Sequence, residues 1–165
     1  MNRIVPIFLL LIAMAFGAAA QNTPPAQSDE TSKAAKQDDI SGMYSFEKDG
    51  EFVQINQEED GIISGFVSRF GDDVTDKKTF LDQFFSKAAL NGKTLTFATK
   101  VIHGTWFEFK GKVTRASGKT PGAEGYHLLR GKLTQYVTDA GKTTSPKTRD
   151  VEFKSFPADA QAPKP

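Results

Sequence analysis

The sequence predicts an all-β domain: an eight-stranded antiparallel up-and-down barrel with one short helix after the third strand. Three observations carry this expectation. First, Trp106-Phe107-Glu108-Phe109-Lys110-Gly111-Lys112-Val113 alternates apolar with polar or charged residues. Successive strand side chains point to opposite faces, so Phe107, Phe109, Gly111 and Val113 share a dry face. Second, the pattern apolar-x-Gly-x-apolar recurs at Ile63–Val67 and Leu129–Leu133, and glycine in a strand marks a sharp bend or a close approach. Third, Asp49-Gly50, Asp60-Gly61 and Asn91-Gly92 are dipeptides that supply the positive φ of tight hairpins.

Taken in order, the chain opens with one basic residue, Arg3, then an apolar run from Ile4 to Phe16 and a small-residue stretch ending at Ala20. This is the pattern of a secretory signal peptide over residues 1–20. It predicts a periplasmic or secreted product that does not span the membrane after cleavage. Removing residues 1–20 takes out only Arg3 among the charged side chains, which leaves 20 basic and 20 acidic groups. A neutral balance argues against a general nucleic-acid or polybasic membrane binder. Cysteine is absent, so the core stands without covalent staples.

Residues 21–39 hold no aromatic and no β-branched aliphatic side chain. Such a stretch cannot bury enough apolar surface to offset its ordering entropy and reads as a disordered linker. Residues 157–165 read as a disordered tail for the same reason, which leaves 40–156 as the barrel domain. Within it, turn chemistry separates strands at 42–47, 51–57, 62–70, 87–90, 94–99, 104–115, 125–138 and 149–156. Closing eight such strands hides the apolar face and removes both sheet edges. A two-sheet sandwich is the alternative. An outer-membrane barrel is excluded by Glu108, Lys110, Lys112, Arg130, Lys132, Glu152 and Lys154 on the outer face, because a lipid-facing wall does not accept such charges.

One segment breaks the β rhythm. In 76–86 the pairs Phe80/Leu81 and Phe84/Phe85 lie four apart, a helical spacing with one oily stripe. Thr75 would cap that helix. A short helix needs something to pack on, so Phe80, Leu81, Phe84 and Phe85 would form a plug at one barrel end or a lid over it.

The opening Gly42-x-Tyr44, a hairpin, and then Asp60-Gly61-Ile62-Ile63-Ser64-Gly65 resemble the calycin group of up-and-down barrels, its avidin-like members most of all. The resemblance implies the barrel and runs from Gly42 to Phe156 in strand order. It does not imply biotin binding. Registering Gly42 with that family's first-strand glycine puts Phe46 where those proteins present a polar side chain to biotin, and only one tryptophan, Trp106, is available for a wall that takes several. The phrases His103-Gly104-x-Trp106-Phe107-Glu108-Phe109-x-Gly111 and Val151-x-Phe153-Lys154-Ser155-Phe156 are similar to small exported bacterial β-barrel proteins of unassigned function. That likeness implies a fold and a compartment but no activity.

Chemistry-bearing motifs are sparse. His103 and His127 have no metal-ligand spacing to another His or Cys, and His103 before Gly104 reads as a turn histidine. Asp72-Asp73-Val74-Thr75-Asp76 lacks the calcium-loop pattern. No nucleophile elbow and no phosphate loop is present. Glu108 shares its face with Lys110 and Lys112 and reads as part of a solvated charge row. The expectation is therefore a non-enzymatic domain with no catalytic residue, no metal and no cofactor. Val53, Ile55, Leu95, Phe97, Phe107, Phe109, Leu129 and Leu133 would line the barrel around a small apolar ligand. Glycines 65, 111 and 131 favour a void there, and the phenylalanines oppose it. The alternative is a solid-core structural module that docks an envelope protein through outer aromatics or an edge. An enzyme using Glu108 or a histidine is the least favoured reading.

Overall fold

The computed structural model describes residues 38–71 and 79–161. The signal peptide, most of the linker, the Thr75 cap and the 72–76 acidic cluster lie outside the described residues. Eight strands follow one another in a single antiparallel sheet, each paired with its neighbour in sequence. They are β1 (Gly42–Ser45), β2 (Phe52–Gln57), β3 (Ile63–Phe70), β4 (Phe80–Asn91), β5 (Thr94–Thr99), β6 (Thr105–Arg115), β7 (His127–Thr138) and β8 (Thr144–Lys154). A single helical turn, α1 (Ala158–Gln161), follows. Gly61 and Gly92 hold φ of 83° and 58° in the hairpins expected of them, values that only glycine adopts without strain.

The sheet curls into a half-barrel. Its ends meet at one corner, where Tyr44 bridges Ser155 and the Phe156 N–H donates to Met43 O at 2.8 Å. The Lys154 N–H adds a bond to Ser45 Oγ at 3.0 Å. Beyond that corner β1 has ended and β8 continues alone. Arg149 reaches across the gap in an ion pair with Glu47. Pro146 lies on this outer strand, the position in a sheet where a missing N–H does least harm.

The expected helix is instead the first half of β4. Phe66 pairs with Phe84 and Phe70 with Phe80 in the β3–β4 ladder. Residues four apart share a face in a strand as well as in a helix, so the Phe80/Phe84 spacing fits both periods. The strand reading leaves Phe80 and Phe84 outside, 47% and 54% exposed, and sends Gln83 inward, fully buried. A buried glutamine among the inward residues disguised the period-two alternation. A register shift between Phe85 and Lys87 adds one residue, as a bulge does. It reverses the parity, so that Ala88 faces Phe97 and Leu90 faces Leu95. Regular alternation resumes only there, where the sequence pattern first signalled a strand.

The interior has two storeys. The lower one is apolar: Val53, Ile55, Val67, Leu95, Leu129 and Leu133 are all completely buried. Phenyl rings cross it in an unbroken series, Phe85–Phe97–Phe109–Phe153–Phe46–Phe107, with centroids 4.5–5.6 Å apart. The upper storey lies at the end where β1 and β8 part, and it is polar: Glu51, Arg69, Gln83, Thr99 and Thr105 are buried.

Candidate functional site

All eight residues expected to line the barrel are buried in one continuous core. The glycines that face this core do not stand empty. A Cβ on Gly111 would lie 2.4 Å from Phe109 Cζ, and one on Gly65 would lie 2.8 Å from Phe85 Cε2. Neighbouring rings thus occupy the space that the missing side chains leave. Backbone closes in as well, with Gln54 O 2.0 Å from a Gly65 Cβ. Gly131 is approached by backbone alone: its Cβ would sit 2.3 Å from both Gly111 Cα and Lys110 O. Gly111 and Gly131 are paired across β6 and β7, so these strands touch where a side chain on either would separate them.

The four residues assigned to a plug or lid divide between the two faces of β4. Leu81 is half-buried, and Phe85 packs against the core. Phe80 and Phe84 join an aromatic row on the outside of β2–β4. Phe52 meets Phe66 at 5.9 Å, Phe66 meets Phe84 at 5.4 Å, and Phe70 meets Phe80 at 4.4 Å. Ser68 and Asp82 lie between these pairs on the same face, joined by a 2.7 Å hydrogen bond. An isolated exposed phenylalanine is ordinary, whereas a grouping of this kind on one outer face is not.

The polar storey is the feature that sequence reading missed. Arg69 Nε donates to Gln83 Oε1 at 2.5 Å, and its Nη1 donates to Phe70 O at 3.0 Å. The Gln83 amide donates to Lys100 O at 3.0 Å and to Thr105 O at 2.9 Å. The Arg69 guanidinium lies 5.5 Å from the centroid of the Phe107 ring, within the range of a cation–π contact. Glu51 accepts the N–H groups of Phe70 at 3.1 Å and Lys48 at 3.2 Å. The alternation in Val67-Ser68-Arg69 could have flagged Arg69 as inward, since it shares parity with Val67.

Above this layer, beside the β1–β8 gap, opens a recess of about 430 Å³. Phe107 lies at its base and Gln135, Lys147 and Arg149 on its β7–β8 side. Arg149 Nη1 is buried there with no hydrogen-bond partner.

The structure does not bring His103, His127 and Glu108 together. His103 is exposed in the turn before β6, with φ of 48°. Glu108 is on the outer face and accepts the Tyr136 hydroxyl at 3.2 Å, beside a Trp106–Tyr136 stack at 4.8 Å. His127 starts β7 against Tyr126, in a separate recess with Arg115. Burial, reinforced by the Arg115 charge, lowers the His127 pKa below its ordinary value. Among the described residues, no group of three or more His, Cys, Asp or Glu side chains is placed to hold a metal ion. No helix among them is long and apolar enough to cross a membrane.

No protein-family model matches this chain, and a search of curated proteins finds no match.

Proposed function

We propose that this is an exported, non-catalytic β-barrel domain that works as a protein-interaction module, docking a second copy of itself through the aromatic face of β2–β4. The observation that carries the reading is the outer row of Phe52, Phe66 and Phe84 with the adjacent Phe70–Phe80 pair. Burying Phe80 and Phe84, which are about half exposed, would recover hydrophobic free energy that folding alone leaves unused. A two-fold pairing needs a self-complementary surface, and rows of tilted and edge-on rings can interdigitate with their own kind. The charge balance of the processed chain supplies no net repulsion between copies.

The compartment in this proposal rests on the signal pattern of residues 1–20 and on the likeness to small exported bacterial β-barrel proteins. Its non-catalytic character is supported by the separation of Glu108 and the two histidines. A small apolar ligand inside the barrel is less favoured, because a ligand there would have to part the continuous series of phenyl rings.

Sedimentation velocity on the processed chain across the micromolar range tests the proposal. Wild type is expected to shift from monomer to dimer with concentration, while Phe84→Ser stays monomeric with an unchanged circular dichroism spectrum. A wild-type chain that remains monomeric throughout overturns it.

A further inference from the structure

The outer face of β4–β8 carries an open groove of about 480 Å³ that belongs to neither the core nor the aromatic rows. The ladder register lays its residues in two rows across the strands. Glu108, Thr134 and Thr148 are successive partners in the first, with Lys87 at its β4 end, opposite Ala98. Ala89, Thr96, Lys110 and Lys132 are successive partners in the second. The lining sets three ammonium groups, Lys87, Lys110 and Lys132, against one carboxylate, Glu108. Glu108 already accepts the Tyr136 hydroxyl, and Lys132 is held by Asp150 at 3.0 Å. Lys87 and Lys110 are exposed, and among the described residues neither has an ion-pair partner. The exposed hydroxyls of Thr134 and Thr148 lie 2.8 Å apart. One hydrogen bond between two hydroxyls leaves an O–H proton and lone pairs for a ligand.

We propose that this groove binds a linear acidic oligosaccharide, its carboxylates on Lys87, Lys110 and Lys132 and its hydroxyls on Thr134 and Thr148. The excess of cations selects an anion. Methyl groups of Ala89, Thr96 and Thr134 suit the C–H faces of sugar rings, and the threonine hydroxyls suit their O–H groups. Neighbouring strands lie about 4.8 Å apart, close to the length of one pyranose ring. A sugar chain laid across the strands therefore meets a new polar side chain at each ring. An extended acidic peptide, by contrast, docks on a sheet through main-chain hydrogen bonds. β5, β6 and β7 have a strand on either side and spend their backbone groups in the ladders, so recognition here falls to side chains.

Tetragalacturonate is the probe, with its methyl ester as the neutral counterpart and end-capped tetraglutamate as a peptide of equal charge. Binding is read in the processed chain by NMR shifts of the backbone amides of Thr96, Glu108 and Thr134. Tetragalacturonate is expected to saturate those shifts with a roughly millimolar dissociation constant, as suits contacts with exposed charges. Lys87→Gln and Lys110→Gln should each weaken it about threefold through loss of an exposed ion pair. Thr134→Val keeps the shape of the floor and should weaken it by a similar factor through the lost hydroxyl. Lys112 is exposed on the same strand, two residues beyond Lys110 and outside the groove, and Lys112→Gln should leave binding unchanged. Four results would each overturn the proposal: the methyl ester matching the acid, tetraglutamate matching it, no saturable shift at Glu108 and Thr134, or Lys112→Gln weakening binding as much as Lys110→Gln. None of these readouts depends on dimer formation.

Discussion

The ring of Phe109 lies over Gly111, two residues along the same strand: Phe109 Cζ is 2.4 Å from where a Gly111 Cβ would stand, and Arg130 O is 2.5 Å from it. One contact is with a side chain that can rotate, and the other is with backbone locked in the β6–β7 ladder. Gly111→Ala therefore cannot be relieved by moving Phe109 alone. Overpacking of this kind costs roughly 1–3 kcal/mol. Urea unfolding of the variant should show a loss in that range; an unchanged midpoint would mean that β6 and β7 can separate at no cost.

Phe107 sits between the two storeys, 1% exposed, with Phe46 edge-on at 5.3 Å and the Arg69 guanidinium over its ring. Phe107→Ala should cost about 3–5 kcal/mol, from lost transfer free energy and the cavity left behind. A loss below about 1 kcal/mol in denaturant titration would be inconsistent with a packed ring there.

The barrel was legible because alternation in β6 and the Asp-Gly and Asn-Gly turns depend on local geometry that sequence records directly. The first half of β4 was not, because Phe80 and Phe84 satisfy either period and the inward Gln83 looks like a surface residue until its three partners are known. The same reason hid the polar storey. Arg69, Glu51 and Arg149 are unremarkable charges in sequence, and only the curl of the sheet turns them toward one another. The glycines were ambiguous for a different reason. A missing side chain signals space, but whether that space stays open depends on rings contributed by residues such as Phe85, 20 positions along the chain from Gly65.

Tyr44 donates its hydroxyl to Ile40 O at 2.7 Å within the core. Tyr44→Phe leaves that carbonyl unmatched and should cost about 1–3 kcal/mol. Burial first, and then the Asp39 charge, raises the Tyr44 pKa well above its ordinary 10.0. Above the ordinary value the unfolded chain loses this proton while the native state retains it, so the unfolded state holds fewer protons and stability falls as pH rises. That contribution is complete below the unfolded pKa and disappears as pH climbs toward the native one. In alkaline denaturation series, Tyr44→Phe should lose stability less steeply with pH than wild type.

His127 gives the opposite dependence. Its lowered pKa, caused mainly by burial and then by Arg115, keeps it neutral when the unfolded chain has already taken up a proton. The unfolded state then holds more protons, and stability falls as pH drops below the ordinary histidine value of 6.5. The contribution is present above that value and lost as pH falls through the native pKa. Melting temperatures between neutral and mildly acidic pH should decline less in His127→Gln than in wild type, and an equal decline would show that His127 takes no part.

Arg69 and Gln83 are paired at the centre of the upper storey. Gln83 is completely buried and uses its whole amide, accepting from Arg69 and donating to two carbonyls. Gln83→Leu keeps much of the volume but strips a partner from a buried guanidinium and two acceptors at once. Leaving a buried donor or acceptor unsatisfied costs about 1–3 kcal/mol. Replacing Arg69 as well removes the unmatched guanidinium N–H. Arg69→Met combined with Gln83→Leu should therefore be more stable than Gln83→Leu alone, with a favourable coupling of about 1–3 kcal/mol. Chemical denaturation of the four proteins in this cycle measures the coupling. Simple additivity would mean that Arg69 and Gln83 are neighbours without being partners, and that the polar layer is held by other contacts.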